Sequence, residues 1–214
     1  MARRFLLLSH RVPVSGAFTL NDLAGGAGRM DEVARCVSTA LTVSNGLRRD
    51  TEVIVLFVAE PPPAARRIRV EGARVRYLNP DERSTAALLK NALVRSLVYD
   101  HDWESSPGLV VGPCDPEAEI RRFAARPGAF WLTEDGIPLE PGRAGDAEGA
   151  AEFAALLSDP TDPTEAEREL LTSLGIPRVS VGPLPLRSSQ VIDVVHNHFD
   201  RRNPGGPGAA GPGT

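Results

Sequence analysis

From Glu52 to Ala59 the chain runs almost without interruption through Val, Ile, Leu and Phe. An apolar run of this length and β-branched content suits a strand covered on both faces, as in a parallel sheet packed between helices. Pro61-Pro62-Pro63 stops it. Around this run, strand-like and helix-like stretches alternate. Arg3 to His10 reads as a strand, and after a Gly-rich loop the segment from Met30 to Asn45 places Met30, Val33, Ala34, Val37 and Leu41 on one helical face. Arg67 to Val70 and Arg74 to Leu78 flank Gly72 and read as a strand or a hairpin, and Asp81 and Glu82 open a helix running to about Val98.

The second half repeats the alternation: a strand at Leu109 to Val111, a helix from Asp115 to Arg126, a strand at Ala129 to Leu132, and a turn at Glu134-Asp135-Gly136. Phe153 to Ser158 fits either helix or strand. Pro163 to Leu174 is a helix with Pro near its first turn and Gly175 after its end; Arg178 to Val181 is a strand; Ser188 or Ser189 caps a last helix through Asp200. This order predicts an α/β fold with a mostly parallel sheet, one domain over residues 1–202, and a disordered Gly/Pro tail at 203–214 that cannot bury a core.

Charge distribution says more than the net charge of −4: residues 1–100 carry 15 Arg or Lys against 10 Asp or Glu, and residues 101–214 carry 9 against 18. The basic half suggests a surface facing a polyanion, with Arg66, Arg67, Arg69, Arg74 and Arg76 as candidate phosphate contacts. Codon bias in a GC-rich genome explains the arginine excess equally well. No apolar run approaches the roughly 20 residues that span a bilayer, and Phe5 to Leu8 is too short for a signal-peptide core. The expectation is a soluble, cytoplasmic protein. Cys36 and Cys114 cannot form a disulfide scaffold and read as small buried apolar residues. His196-Asn197-His198 resembles a metal pair, but helical positions i and i+2 do not face each other, so no metal site is expected.

Gly25-Gly26-Ala27-Gly28-Arg29 precedes a helix and either cradles phosphate or simply turns; Walker and dinucleotide spacings are absent. Arg29 and Asp31 sit at the mouth of that helix, where they orient a substrate or cap a surface. Leu78-Asn79-Pro80-Asp81-Glu82-Arg83-Ser84 joins a strand to a helix, a place where open α/β sheets put ligand groups, although Asn-Pro also starts ordinary turns. Trp131-Leu132-Thr133-Glu134-Asp135-Gly136 either holds a cofactor edge or reverses the chain.

Taken in order, Gly28-Arg29-Met30-Asp31, Arg35-Cys36-Val37, Arg48-Arg49-Asp50, Leu78-Asn79-Pro80-Asp81-Glu82-Arg83-Ser84, Ser105-Ser106-Pro107-Gly108, Glu134-Asp135-Gly136 and Val194-Val195-His196-Asn197 carry a resemblance. The sequence resembles the SPOUT-class tRNA pseudouridine-54 N1-methyltransferase family, best known from archaea, over nearly everything from Arg3 to Asp200. The resemblance implies a C-terminal trefoil knot, a homodimer, and S-adenosylmethionine bound at the knot. It places Leu132, Ser158, Asp159, Gly182, Leu184, Leu186 and Val191 around the cofactor, chiefly through backbone groups. The chain departs from the family pattern at Thr133, at Ser158-Asp159-Pro160 and at Arg187-Ser188-Ser189-Gln190-Val191.

The activity so implied is methyl transfer to N1 of a pseudouridine, an imide nitrogen that uridine lacks, with tRNA as the RNA. Arg29 and Arg83 are the expected partners of developing negative charge, and Asp31 or Asp81 the proton acceptor or orienting group, with Glu82 a further candidate base. The alternatives are methylation of another RNA, such as ribosomal RNA, and a catalytically silent RNA-binding dimer.

Overall fold

The computed structural model describes residues 2–58, 65–142 and 152–202. The triple proline, Ala59 and the Gly/Pro tail lie outside the described residues. Eight strands form one sheet in the order β10-β8-β9-β1-β4-β5-β7-β6, where β1 is Ala2–Ser9, β4 Thr51–Phe57, β5 Arg66–Glu71, β6 Trp103–Ser106, β7 Leu109–Pro113, β8 Ala129–Pro138, β9 Glu152–Ser158 and β10 Arg178–Ser180. The five strands from β10 to β4 pair in parallel, whereas β4, β5, β7 and β6 pair antiparallel. The parallel expectation therefore holds for one side of the sheet only. Two short strands, β2 (Thr42–Val43) and β3 (Gly46–Leu47), make a separate hairpin.

Strict alternation along the central strands builds two cores. Phe5, Leu7, Val53, Val55, Phe57, Phe153, Ala155 and Leu157 face one side, where they join α1 (Met30–Leu41), α2 (Glu82–Ser96) and α5 (Ser188–Arg202). Leu6, Leu8, Ile54, Leu56, Ala154 and Leu156 face the other, against α3 (Pro116–Ala124) and α4 (Glu165–Ser173). Each fully buried Leu or Phe contributes about 1.5–3 kcal/mol of transfer free energy, so a one-residue slip of β1 would exchange both layers at once. The face predicted for α1 (Met30, Val33, Ala34, Val37, Leu41) is wholly buried.

Three local expectations are corrected. The first helix ends at Leu41 rather than Asn45, because Thr42 and Val43 leave it for the hairpin closed by Ser44-Asn45. Arg74 to Leu78 is not a strand: the Val75 amide turns back to the Glu71 carbonyl and the Arg76 amide bonds Pro107. Glu134-Asp135-Gly136 is not a turn between elements but an irregular stretch inside β8, which runs to Pro138 and whose pairing with β10 jumps from Trp131 to Ile137 across it. Trp103–Ser106, to which the sequence pattern assigns no element, is the edge strand β6. The ambiguous segment at Phe153 is a strand, held between β1 and β8.

His196 lies in the seam between α5 and α1. Its Nε2–H donates to the Ala40 carbonyl (3.0 Å) and Nδ1 accepts from Arg3 Nη1 (3.1 Å). Burial, aided by the Arg48 and Arg3 guanidinium groups, depresses its pKa to about 3, so it stays neutral. Arg3 and Arg48 both pair with Asp200. His196 thus braces the helix seam, and no group of metal-ligating side chains occurs among the described residues.

Candidate functional site

The parallel strands β8, β9 and β10 end on one side of the sheet, the position where α/β folds gather ligands. There a groove of about 720 Å³ opens, within the range of small-molecule sites. All seven positions assigned to a cofactor line it: Leu132 from β8, Ser158 and Asp159 at the end of β9, Gly182, Leu184 and Leu186 in the loop after β10, and Val191 in the first turns of α5. Leu184 is 73% exposed, an apolar side chain in the groove lining. Ser188 Oγ donates to the Ser158 carbonyl (2.7 Å), tying the start of α5 to the end of β9.

Arg29 also lines the groove. It caps α1 in the left-handed region (φ 69°), a conformation uncommon outside glycine, directly after Gly28 (φ 63°). At Gly28 a Cβ would meet the Arg11 carbonyl at 2.0 Å, so glycine is required and the chain direction into Arg29 is fixed. Arg29 donates from Nε and Nη2 to the two carboxylate oxygens of Asp31 at 2.9 and 3.1 Å, and Arg35 adds a bond at 3.2 Å. Burial pushes the Asp31 carboxyl upward, but these guanidinium groups outweigh it and hold it below its ordinary value. Asp31 is therefore an ionised anchor for Arg29.

The glycine loop does not present free amides. Asp22 accepts from Gly25 and Gly26 (2.9 and 2.7 Å), which closes the loop on itself. Asp81 and Arg83 are not in the groove either. Asp81 caps α2 by accepting from the Ser84 amide (2.8 Å), and such amide bonds lower its pKa. Arg83 donates to the Leu20 carbonyl (2.9 Å) and Asn21 Oδ1 (3.1 Å) and borders a separate hollow. Glu82 pairs with Arg35 at 3.2 Å, so an ion-pair chain Arg29–Asp31–Arg35–Glu82 links the groove to the start of α2.

Two groups escaped sequence reasoning. His10, just past β1, donates its backbone N–H to Asp159 Oδ2 (3.0 Å), and its Nε2 lies 2.9 Å from Glu167 Oε2. Hydrogen bonds to Asp159 and Glu167 raise its pKa to about 9, overcoming burial. The Asp159 carboxylate is thereby committed to His10 and to the Thr161 amide (2.8 Å), so Asp159 shapes the groove wall. Glu32, only 1% exposed, accepts from the Ser189 amide at 3.0 Å and lines the groove floor. The only signal for His10 was its place at the end of an apolar strand; for Glu32 there was none.

Of the predicted RNA contacts, Arg67 pairs with Asp102 and Glu119, Arg69 with Glu71, and Arg74 with Glu71 and Glu104. Arg66 bonds the Ala65 carbonyl and Arg76 is exposed. Much of the charge that the sequence concentrates here is compensated within the protein.

Residues 2–203 match the family model described as "Putative SAM-dependent RNA methyltransferase". The chain belongs to this methyltransferase family. Its relatives within the family include tRNA (pseudouridine(54)-N(1))-methyltransferases from Methanosarcina acetivorans, 41% identical over 93% of this chain and 91% of that protein, and from Methanocella arvoryzae, 38% identical over 94% and 100%. The fold is similar to that of Archaeoglobus fulgidus Nep1 bound to S-adenosylhomocysteine, with a TM-score of 0.63, 17% identity, and coverage of 94% of this chain and 97% of that one. Among the described residues of this family member, no helix is long and apolar enough to cross a membrane.

Proposed function

We propose that this chain transfers the methyl group of S-adenosylmethionine to N1 of a pseudouridine in RNA, with tRNA as substrate and the cytoplasm as its place of work. The observation that carries this reading is the convergence of all seven cofactor positions on one groove that also holds Arg29. The groove suits the cofactor: its volume is that of a small-molecule site, Leu132, Leu184 and Leu186 offer apolar surface, and the strand ends and the loop after β10 offer backbone donors and acceptors. The Thr133 Oγ1 there is buried without a hydrogen-bond partner. When bound, the cofactor supplies an electrophilic methyl group.

The protein's own part is electrostatic and geometric. Arg29, held by Asp31 through Nε and Nη2, presents a pre-oriented guanidinium whose remaining N–H groups can donate directly to an oxygen of the anionic imide base, while Asp31 orients that donor and does not itself take the proton. Asp81 serves by fixing the start of α2. Arg66 and Arg76 retain positive charge for the RNA backbone. We read residues 1–202 as one domain followed by the tail, the stretch 181–187 as part of a C-terminal trefoil knot, and the active species as a homodimer. Support for the knot is that β10 lies at the sheet edge while α5 packs on α1, so the chain recrosses the ends of β8 and β9.

Incubation with methyl-labelled cofactor and paired RNAs carrying pseudouridine or uridine at one position tests the assignment. Label is expected on the pseudouridine RNA alone; equal labelling of both rejects N1.

A further inference from the structure

A cation bonded to a carboxylate contributes little to the field outside the protein, whereas a cation bonded to a neutral carbonyl keeps its whole charge. By this criterion one uncompensated pair among the described residues lies away from the groove. A hollow of about 650 Å³ is lined by Ala17, Phe18, Thr19, Leu20, Asn21, Arg83 and Lys90, none of them acidic. Arg83 Nη1 donates to the Leu20 carbonyl and Asn21 Oδ1, and Lys90 Nζ donates to the Phe18 carbonyl while sitting 5.3 Å from the centre of the Phe18 ring.

The acids nearby are engaged elsewhere. Asp22 holds the Gly25 and Gly26 amides, Asp81 caps α2 and Glu82 faces Arg35. Arg83 and Lys90 are seven residues apart on α2, two helical turns or roughly 10 Å, so they present spaced positive charges along one face. The carbonyl bonds fix both side chains before any ligand arrives, which lowers the ordering cost of binding, and the remaining N–H groups of Arg83 are free among the described residues.

We propose that this hollow binds the phosphate backbone of the RNA substrate, with Arg83 and Lys90 each contacting a phosphate. The assignment rests on the methyltransferase reading for the identity of the polyanion. It gives Arg83 a binding role on its own chain in place of a role at the reacting base.

Lys90 is the only lysine in the chain, which makes its amine a clean probe. The full-length protein is acylated with an amine-reactive reagent, with and without a pseudouridine-containing T-arm hairpin. The RNA is expected to protect Lys90, and undiminished modification at saturating RNA overturns the site. In parallel, the slope of log affinity against log salt is measured for Arg83→Gln/Lys90→Gln, and for Arg83→Lys/Lys90→Arg, which keeps both charges. Each lost phosphate contact removes roughly 0.7–0.9 from the slope, so the glutamine pair should lose about 1.5 and bind on the order of tenfold more weakly at moderate salt, with the charge-conserving pair close to wild type.

Cofactor affinity by calorimetry should be unchanged in both. An unchanged slope accompanied by a fall in kcat overturns the proposal and returns Arg83 to the reaction centre. Protection without methyl transfer by the wild-type protein would leave this site standing and remove the catalytic reading; methyl transfer without protection does the reverse.

Discussion

Glu32 on α1 accepts the backbone N–H of Ser189 on α5 at 3.0 Å across 157 residues of sequence, so the first turn of one helix caps the start of another. Both helices meet the groove there. Glu32→Ala would leave a buried amide unpaired and remove a carboxylate facing Arg35, at a cost of about 2–3 kcal/mol in urea unfolding. Glu32→Gln keeps an acceptor and should lose less than half of that. Cofactor affinity should fall with the alanine variant more than with glutamine.

His10 makes stability depend on pH above neutrality. Its folded pKa of about 9 exceeds the unfolded 6.5, so its contribution is complete below pH 6.5 and disappears as pH rises through 9. The span corresponds to about 3 kcal/mol. His196 acts below neutrality: with a folded pKa near 3 it lowers stability as pH falls from 6.5, because the unfolded chain takes up the proton first. Denaturation across this range should show a maximum near pH 6.5, and His10→Gln should flatten the alkaline limb and leave the acid limb in place.

Gly136 gives β8 its close approach to β10. An added Cβ would lie 2.5 Å from the Val179 amide nitrogen, so Gly136→Ala must displace β10. The expected result is a folded protein with a lower Tm and cofactor affinity weakened on the order of tenfold, read by calorimetry; an unaltered affinity would mean that the loop after β10 does not depend on this register.

Asp31→Asn weakens the hold on Arg29 without removing it. A displacement of about an ångström at the reacting groups typically costs a hundredfold. We expect kcat to fall by about 10- to 100-fold with little change in RNA affinity, measured by single-turnover methyl transfer. If Asp31 were the proton acceptor, raising the pH would partly rescue the variant; as an anchor it should not be rescued.

Periodicity located the buried strands because residues such as Phe5 and Leu6 must face opposite layers, and it located α1 because its apolar positions recur at helical spacing. It failed where pairing partners decide the outcome. Gly136 and Asp135 have turn chemistry, yet they fall within β8, whose pairing with β10 jumps across them from Trp131 to Ile137, and Trp103 lies on the edge strand β6. The resemblance assembled the cofactor positions from four segments that no local pattern joins. It did not show that Arg83 and Arg29 occupy different cavities, since that depends on how residues 17–21 fold over α2. Nor could counting arginines reveal which are neutralised: Arg67 meets Glu119 only across the fold, 52 residues away.

β10 is three residues long and forms one rim of the eight-stranded sheet. Pro177 precedes it, and Pro183 and Pro185 follow within five residues of its end. Lacking amide hydrogens, these prolines deny a foreign strand the ladder it would need to dock at that rim and grow outward. The rim of the proposed cofactor groove is thus guarded against fibrous self-association by the same short stretch that shapes it.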